Sequence, residues 1–304
     1  MKVLTPVVNN PIFIEIQYNT LKKYMQCDYE FIVFNDAKKF PDYSNGGNSN
    51  IFYEIKETCD RLGVKCITVE NDHHRNMSDA VIRASDSCNS ILDYQRNNPD
   101  KYLVIDSDMF LVDYLNPYEH YSNFDSAFVL QSRNISQWNS SQGVAFGYYK
   151  GVPDCKDPVC NYLWNGIHYF DMTNIDNKDL LDWMPLDGTD AGGRTWKWLK
   201  TQVTKNFPTV EEIRESVNTF TDGRLYYMRH LWSCTWDLSE LPENLKDNEK
   251  LIEFLINDPR NVNGKFFCEI YDNKFLHYRA GGNWRQEGLN FHFELSNKLL
   301  NTFL

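Results

Sequence analysis

The stretch Tyr102-Leu103-Val104-Ile105-Asp106-Ser107-Asp108 decides how the rest of the chain reads. Its four apolar residues, without polar alternation, mark a strand buried on both faces, as in a parallel sheet covered by helices. The strand runs into two carboxylates two residues apart. On extended backbone such a pair points to opposite sides, so both reach one ion only if the chain turns there. A turn is expected, because Met109-Phe110-Leu111-Val112 begins a second apolar run at once. Held in that way, the pair suits a hard divalent cation, which takes oxygen ligands and keeps positions open for phosphates. A solvated acidic turn is the plainer alternative, and the fully apolar strand in front of it tips the reading toward metal.

The residues before this stretch keep a strand–helix rhythm. Val3 to Val8 is a short apolar run, and Pro11 opens a helical pattern that ends near Met25. Glu30 to Phe34 is a compact strand that stops at Asn35-Asp36. A loop around Gly46-Gly47-Asn48 leads to a helix over Ile51 to Leu62, closed by Gly63, and Val64 to Val69 reads as a third strand. Ser78 suits an N-cap for a helix carrying Val81, Ala84, Cys88, Ile91 and Leu92, which stops before Pro99. Repeated strand–helix units imply right-handed crossovers and a mostly parallel α/β sheet. Ligands of such sheets bind beyond the carboxyl ends of the strands, where Thr5, Pro6, Asn9, Asn10, Asp36, Asp106 and Asp108 fall.

Composition narrows the function classes. The 304 residues carry 31 Lys and Arg against 42 Asp and Glu, a net charge of −11, which disfavours non-specific nucleic-acid binding. Hydrophobic residues at 42 % and aromatics at 15 % argue for a folded core rather than disorder. No leader-like stretch and no apolar run of about 20 residues appears, so a cytoplasmic protein without a transmembrane segment is expected, its cysteines reduced. The eight cysteines include no CxxC pair. P-loop, GxGxxG and GxSxG patterns are absent from the sequence.

Two more constellations carry chemistry. Lys274 to Arg285 contains a strand-like lead-in to His277, then Arg279, the pair Gly281-Gly282, Trp284 and Arg285. The glycines permit close backbone approach to a ligand, the arginines can face phosphate, and Trp284 can cover a ring. The plain alternative is a strand-end histidine followed by a turn. Trp164-Asn165-Gly166-Ile167-His168-Tyr169-Phe170-Asp171 reads as a strand entered through a tight Asn-Gly. After it, Leu186-Asp187-Gly188-Thr189-Asp190-Ala191-Gly192-Gly193 is a glycine-rich loop leading into a helix with Trp196, Trp198 and Leu199. Asp187 and Asp190 can serve as a base or hold acceptor hydroxyls, or act as turn and cap residues. His73-His74-Arg75 is read as an exposed polar loop, and Tyr226, Tyr227, Trp232 and Trp236 as core rather than a sugar-stacking wall.

Together these pieces resemble the nucleotide-sugar-dependent glycosyltransferases of the GT-A fold. Tyr102 to Asp108 looks like their strand-plus-DxD element, and Asn165-Gly166-Ile167 is similar to their Asn-containing strand near the donor sugar. His277 to Trp284 is similar to the carboxy-terminal segment of the glycogenin-like enzymes, whose histidine is the third metal ligand. Where those enzymes carry Lys-Pro-Trp, this chain has Asn283-Trp284, and Arg279 or Arg285 offers the charge instead.

The resemblance implies a Rossmann-like α/β fold, a single domain over 1–304. Residues 1–115 form its nucleotide-binding half. Residues 116–304 form the acceptor-binding half, a helical C-terminal extension and the segment that returns His277 to the metal. It also implies Mn²⁺ or Mg²⁺ held by Asp106, Asp108 and His277. The donor is a UDP- or GDP-sugar and the acceptor a hydroxyl of a glycan or protein-linked glycan. Thr5, Pro6 and Asp36 face the nucleoside, Arg83 the donor sugar or phosphates, and Gly281 and Trp284 the donor. Asn165, Asp187 and Asp190 are the catalytic candidates. A histidine ligand favours retention, whereas inversion needs Asp187 or Asp190 as a base. Two other classes compete. One is a non-catalytic carbohydrate-binding protein on this scaffold. The other is a sugar-phosphate nucleotidyltransferase, whose glycine-rich basic loop is missing after Val7.

Overall fold

The apolar runs pair into two sheets in the computed structural model, which describes residues 1–42, 44–70, 80–134, 159–186, 189–216, 218–280 and 288–303. The strands are β1 (Lys2–Val7), β2 (Glu30–Asn35), β3 (Lys65–Thr68), β4 (Lys101–Ile105), β5 (Met109–Leu111), β6 (Ser126–Asn134) and β7 (Val159–Asp171). They continue with β8 (Phe220–Asp222), β9 (Leu225–Tyr227), β10 (His230–Leu231), β11 (Glu269–Tyr271) and β12 (Phe275–His277). The larger sheet has the order β3-β2-β1-β4-β7-β6-β9-β8, and the smaller one β10-β11-β12-β5. Parallel pairs β2/β3 and β1/β4 match the expected strand–helix units; later strands add antiparallel pairs β6/β7 and β8/β9 beside the parallel pair β6/β9. The sheet is therefore mixed.

Eight α-helices are described: α1 (Ile12–Tyr24), α2 (Ile51–Leu62), α3 (Ala80–Asn97), α4 (Pro117–His120), α5 (Trp196–Gln202), α6 (Val210–Glu215), α7 (Glu249–Ile256) and the C-terminal α8 (Leu289–Phe303). None is long and apolar enough to cross a membrane. Every described cysteine is a free thiol. Contacts divide the chain into two compact units. One comprises Met1–Leu4, Val69–Val104 and Asn123–Met228; the other comprises Thr5–Thr68, Ile105–Ser122 and Arg229–Leu304.

In the first unit, Lys2, Val3 and Leu4 pair with Tyr102, Leu103 and Val104. All of these except Lys2 are almost wholly buried, and each large apolar side chain so buried contributes roughly 1.5–3 kcal/mol. Helix α3 is tied to the chain after β7, where Arg96 Nη2 donates to the carbonyls of Lys178 (2.9 Å) and Leu181 (2.8 Å). Strand β7 corrects one expectation. Asn165-Gly166 does not open the strand; it lies inside it, where the register with β6 jumps from Phe128↔His168 to Leu130↔Leu163. The chain bulges there, and the Trp164 ring folds back over Gly166, where any Cβ would collide with it. Tyr226, Tyr227 and, in the second unit, Trp236 are core residues, as read; Trp232 is half-buried.

In the second unit, α1 buries Phe13, Ile14, Ile16, Leu21 and Tyr24. Helix α2 ends where Gly63 takes φ +67°, its amide bonded to the carbonyl of Asp60 at 3.2 Å, so the stop expected from the glycine is confirmed. Helix α8 buries His292, Leu295, Ser296, Leu299 and Phe303 at three- and four-residue spacing, and Asn10 Nδ2 donates to Ser296 Oγ at 3.1 Å. The smaller sheet belongs wholly to this unit. Its register sets His277 opposite both Glu269 on β11 and Met109 on β5.

Candidate metal centre

The turn expected after β4 is present. Met109 N–H donates to the Asp106 carbonyl at 3.1 Å, and Ser107 N–H donates to Asp106 Oδ1 at 2.9 Å. The chain turns within three residues and enters the smaller sheet as β5. That turn cancels the opposite-sides geometry of an extended D-x-D pair. Asp106, Asp108 and His277 each present a ligand atom, all within 4.8 Å of one another, with Asp106 half-buried and the other two buried.

One segment far away in sequence, residues 277–280, locks Asp108. Its carbonyl accepts from Tyr278 N–H at 2.8 Å, and its Oδ2 accepts a short bond from Ala280 N–H. Oδ1 lies 3.3 Å from His277 Nε2. Arg279, between those two donors, takes φ +66°, which swings the Ala280 amide back toward the carboxylate. His277 is gripped from behind: its Nδ1 lies 2.9 Å from Glu269 Oε2.

Charge follows from this packing. Burial alone would lower the His277 pKa, but the carboxylates of Asp108 and Glu269 reverse that and raise it to about 10. Burial works to raise Asp108, yet the His277 ring and the Ala280 amide hold it below the usual carboxylate range. Glu269 is likewise held well below its ordinary value, against its own burial, by His230 and His277. Without a cation the imidazolium supplies positive charge between two carboxylates. A divalent cation at Nε2 would take that proton's place.

The donor set fits such an ion. Bonds of about 2.1 Å in an octahedron put neighbouring ligand atoms about 3 Å apart, close to the 3.3 Å between Asp108 Oδ1 and His277 Nε2. Two carboxylates with one imidazole give the mainly hard ligand field that Mn²⁺ accepts and Mg²⁺ tolerates.

Two residues of this centre were not identified from sequence. Gln17, fully buried on α1, donates through Nε2 to Thr5 Oγ1 (3.2 Å) and to the carbonyls of Asp106 (2.8 Å) and Met109 (3.1 Å). It clamps the two ends of the turn to the end of β1, and its Oε1 has no hydrogen-bond partner among the described residues. The signal was available, since Gln17 is a polar residue among the apolar positions of α1. Glu269 is the other, a lone carboxylate in the run Phe266-Phe267-Cys268-Glu269-Ile270-Tyr271.

The remaining candidates are spread through the chain. Thr5 is buried against Gln17, and Pro6 beside it is half-buried. Asp36 is buried at the end of β2, 3.2 Å from Lys38 Nζ. Arg83 lies in the first turns of α3, partly buried. Asn165 is half-buried in the β7 bulge, and exposed Asp190 accepts from Ala191 N–H at 2.9 Å. Asp187, Gly281, Trp284, Ser78 and His73-His74-Arg75 lie outside the described residues.

No known family profile and no curated protein matches this chain. Among solved structures it is similar to the galactosyltransferase LgtC in complex with donor and acceptor sugar analogues. The identity is 9 %, the TM-score 0.32, and the match covers 57 % of this chain and 58 % of that one. It is also similar to the apo bifunctional glycosyltransferase WbbM, at 17 % identity and TM-score 0.34, over 59 % of this chain and 33 % of that one. An active-site mutant of LgtC matches at 12 % identity and TM-score 0.32, over 57 % and 58 %. Each match spans less than two thirds of the other protein's length. Likeness at this level carries nothing about chemistry, which has to be read from the site itself.

Proposed function

We propose that this protein is a metal-dependent glycosyltransferase of GT-A type. In this reading it moves a sugar from a nucleoside-diphosphate sugar, UDP- or GDP-linked, to a hydroxyl of a glycan or protein-linked glycan. The observation that carries it is the meeting of Asp106, Asp108 and His277 within 4.8 Å, directly after the buried strand β4. An acidic turn that merely met solvent would not bury Asp108 or draw a histidine from the far end of the chain.

Asp108 through Oδ1 and His277 through Nε2 would hold Mn²⁺ or Mg²⁺, with Asp106 reaching it directly, through water, or through the ribose. When bound, the cation supplies positive charge beside the diphosphate as the sugar–oxygen bond breaks. In this reading Thr5, Pro6 and Asp36 are assigned to the nucleoside, and Arg83, Gly281 and Trp284 to the phosphates and donor sugar. Asn165 is assigned to the donor sugar, and Asp187 or Asp190 to orienting the acceptor hydroxyl or receiving its proton. A histidine ligand from the C-terminal segment favours retention of configuration.

The test is a thermal-shift screen of nucleoside diphosphates and their sugars, each with and without Mn²⁺. A ligand at 100 times its Kd adds about 2.7 kcal/mol to the native state, or roughly 5 °C for a chain of this size. A rise that needs both Mn²⁺ and one nucleotide supports the transferase and names its donor class. No rise with any nucleotide, in well-folded protein, sinks it in favour of carbohydrate binding alone.

A further inference from the structure

We infer that Glu269 is the positioning residue of the metal centre: it fixes the tautomer and aim of His277, so that Nε2 is the nitrogen offered to a cation. This inference rests on the metal-centre reading above and adds a residue to it.

The register makes the placement unavoidable. Glu269 and His277 are direct partners in the antiparallel pair β11/β12, so their side chains share one face at adjacent positions. Glu269 is 7 % exposed and His277 6 %. Nδ1 lies 2.9 Å from Glu269 Oε2, and on the opposite side of the ring Nε2 lies 3.3 Å from Asp108 Oδ1. A carboxylate only accepts, so Glu269 keeps Nδ1–H whether Nε2 carries a proton toward Asp108 or faces a cation.

Glu269 is itself fixed. Oε2 also accepts from Tyr271 O–H at 2.8 Å, and Oε1 accepts from Ser233 N–H at 3.0 Å. Arg279 Nε lies 3.8 Å from Oε1 and His230 Nε2 3.6 Å from it. His230 is in turn stacked on the Tyr271 ring, with centroids 4.1 Å apart. Such over-determination is what a residue needs in order to orient another, and partners behind metal-bound histidines typically change metal affinity 10–100-fold when lost. A role limited to filling the sheet would not need a carboxylate aimed at the ring.

The experiment measures Mn²⁺ affinity by electron paramagnetic resonance of the free ion, in wild type, Glu269→Gln and Glu269→Ala. Circular dichroism establishes that each variant is folded. The expected result is about tenfold weaker binding for the isosteric Glu269→Gln and up to about 100-fold for Glu269→Ala. Wild-type affinity in a folded Glu269→Gln overturns the inference. A readout that needs no variant is the ¹⁵N spectrum of the His277 ring in wild type with Mg²⁺ added. Nδ1 protonated and Nε2 bare of hydrogen supports the inference; the reverse tautomer overturns it. Should wild type and Asp108→Asn bind Mn²⁺ equally weakly, the metal centre itself falls, and Glu269 falls with it.

Discussion

Two of the buried histidines, one from each compact unit, have met opposite fates. His277 sits between the carboxylates of Asp108 and Glu269, and its pKa rises to about 10. His168, on β7, is 1 % exposed and stacks on Trp183 with centroids 4.7 Å apart. Neither of its ring nitrogens has a hydrogen-bond partner among the described residues, and burial lowers its pKa to about 3. Burial is common to both, so burial does not make a site. The difference lies in what the fold sets against the ring. Around His168 it sets Trp183 and Phe170; around His277 it sets two carboxylates, at the cost of desolvating them.

The severest test of that contrast removes the carboxylate on the ligand side. Asp108→Ala is expected to abolish transfer, a loss of about 10³-fold or more in kcat, since charge stabilisation by a bound cation is worth several kcal/mol. A donor-hydrolysis and transfer assay checks this, and substantial remaining activity would take the metal role from Asp108. Next comes the ring itself. His277→Ala should raise the Mn²⁺ concentration needed for half-maximal activity by about 10–100-fold. An unchanged metal titration would make His277 a second His168.

The smallest effect belongs to His168→Phe, which exchanges an unpartnered polar ring for an apolar one and should leave Mn²⁺ affinity alone. At neutral pH it is expected to be neutral or to stabilise by about 1 kcal/mol. The pH dependence is sharper. The folded pKa of His168 is depressed, so below about pH 6.5 the unfolded chain binds a proton that the folded one refuses. Stability should then fall with pH by about 1.4 kcal/mol per unit down to about pH 3, and His168→Phe should remove that share of the slope. In metal-free protein the sign is opposite at His277. Its raised pKa contributes stability that is complete below about pH 6.5 and lost as pH rises through about 10. Melting curves across pH read both limbs.

The local features of this molecule were open to reading from the chain, and the long-range ones were not. Strand β4 announced itself because four apolar residues without alternation have little else to be, and α2 ended where Gly63 said it would. The turn between Asp106 and Met109 followed from two apolar runs with no room between them. Asn165-Gly166 misled because the pair has turn chemistry, while pairing with β6 kept the segment in a strand and left the glycine to make room for Trp164. The smaller sheet was hidden: its strands are two or three residues long, too short for periodicity, and β5 finds β12 only through the fold. Gln17 and Glu269 stand out in the sequence as polar residues among apolar ones, but their roles were not legible there. Their partners are backbone carbonyls and a histidine ring that only tertiary structure brings near.

The hairpin between β11 and β12 turns on Asp272 and Asn273, both at positive φ (50° and 56°), with Asp272 held by Tyr121 O–H and His120 Nε2 at 2.8 Å each. It counts out the spacing that sets Glu269 against His277. Insertion or deletion of a single residue there would turn the imidazole to the other face of the sheet while sparing every ligand in the sequence. Along any lineage of this chain, the 272–273 corner should therefore keep its length, with residues that tolerate positive φ.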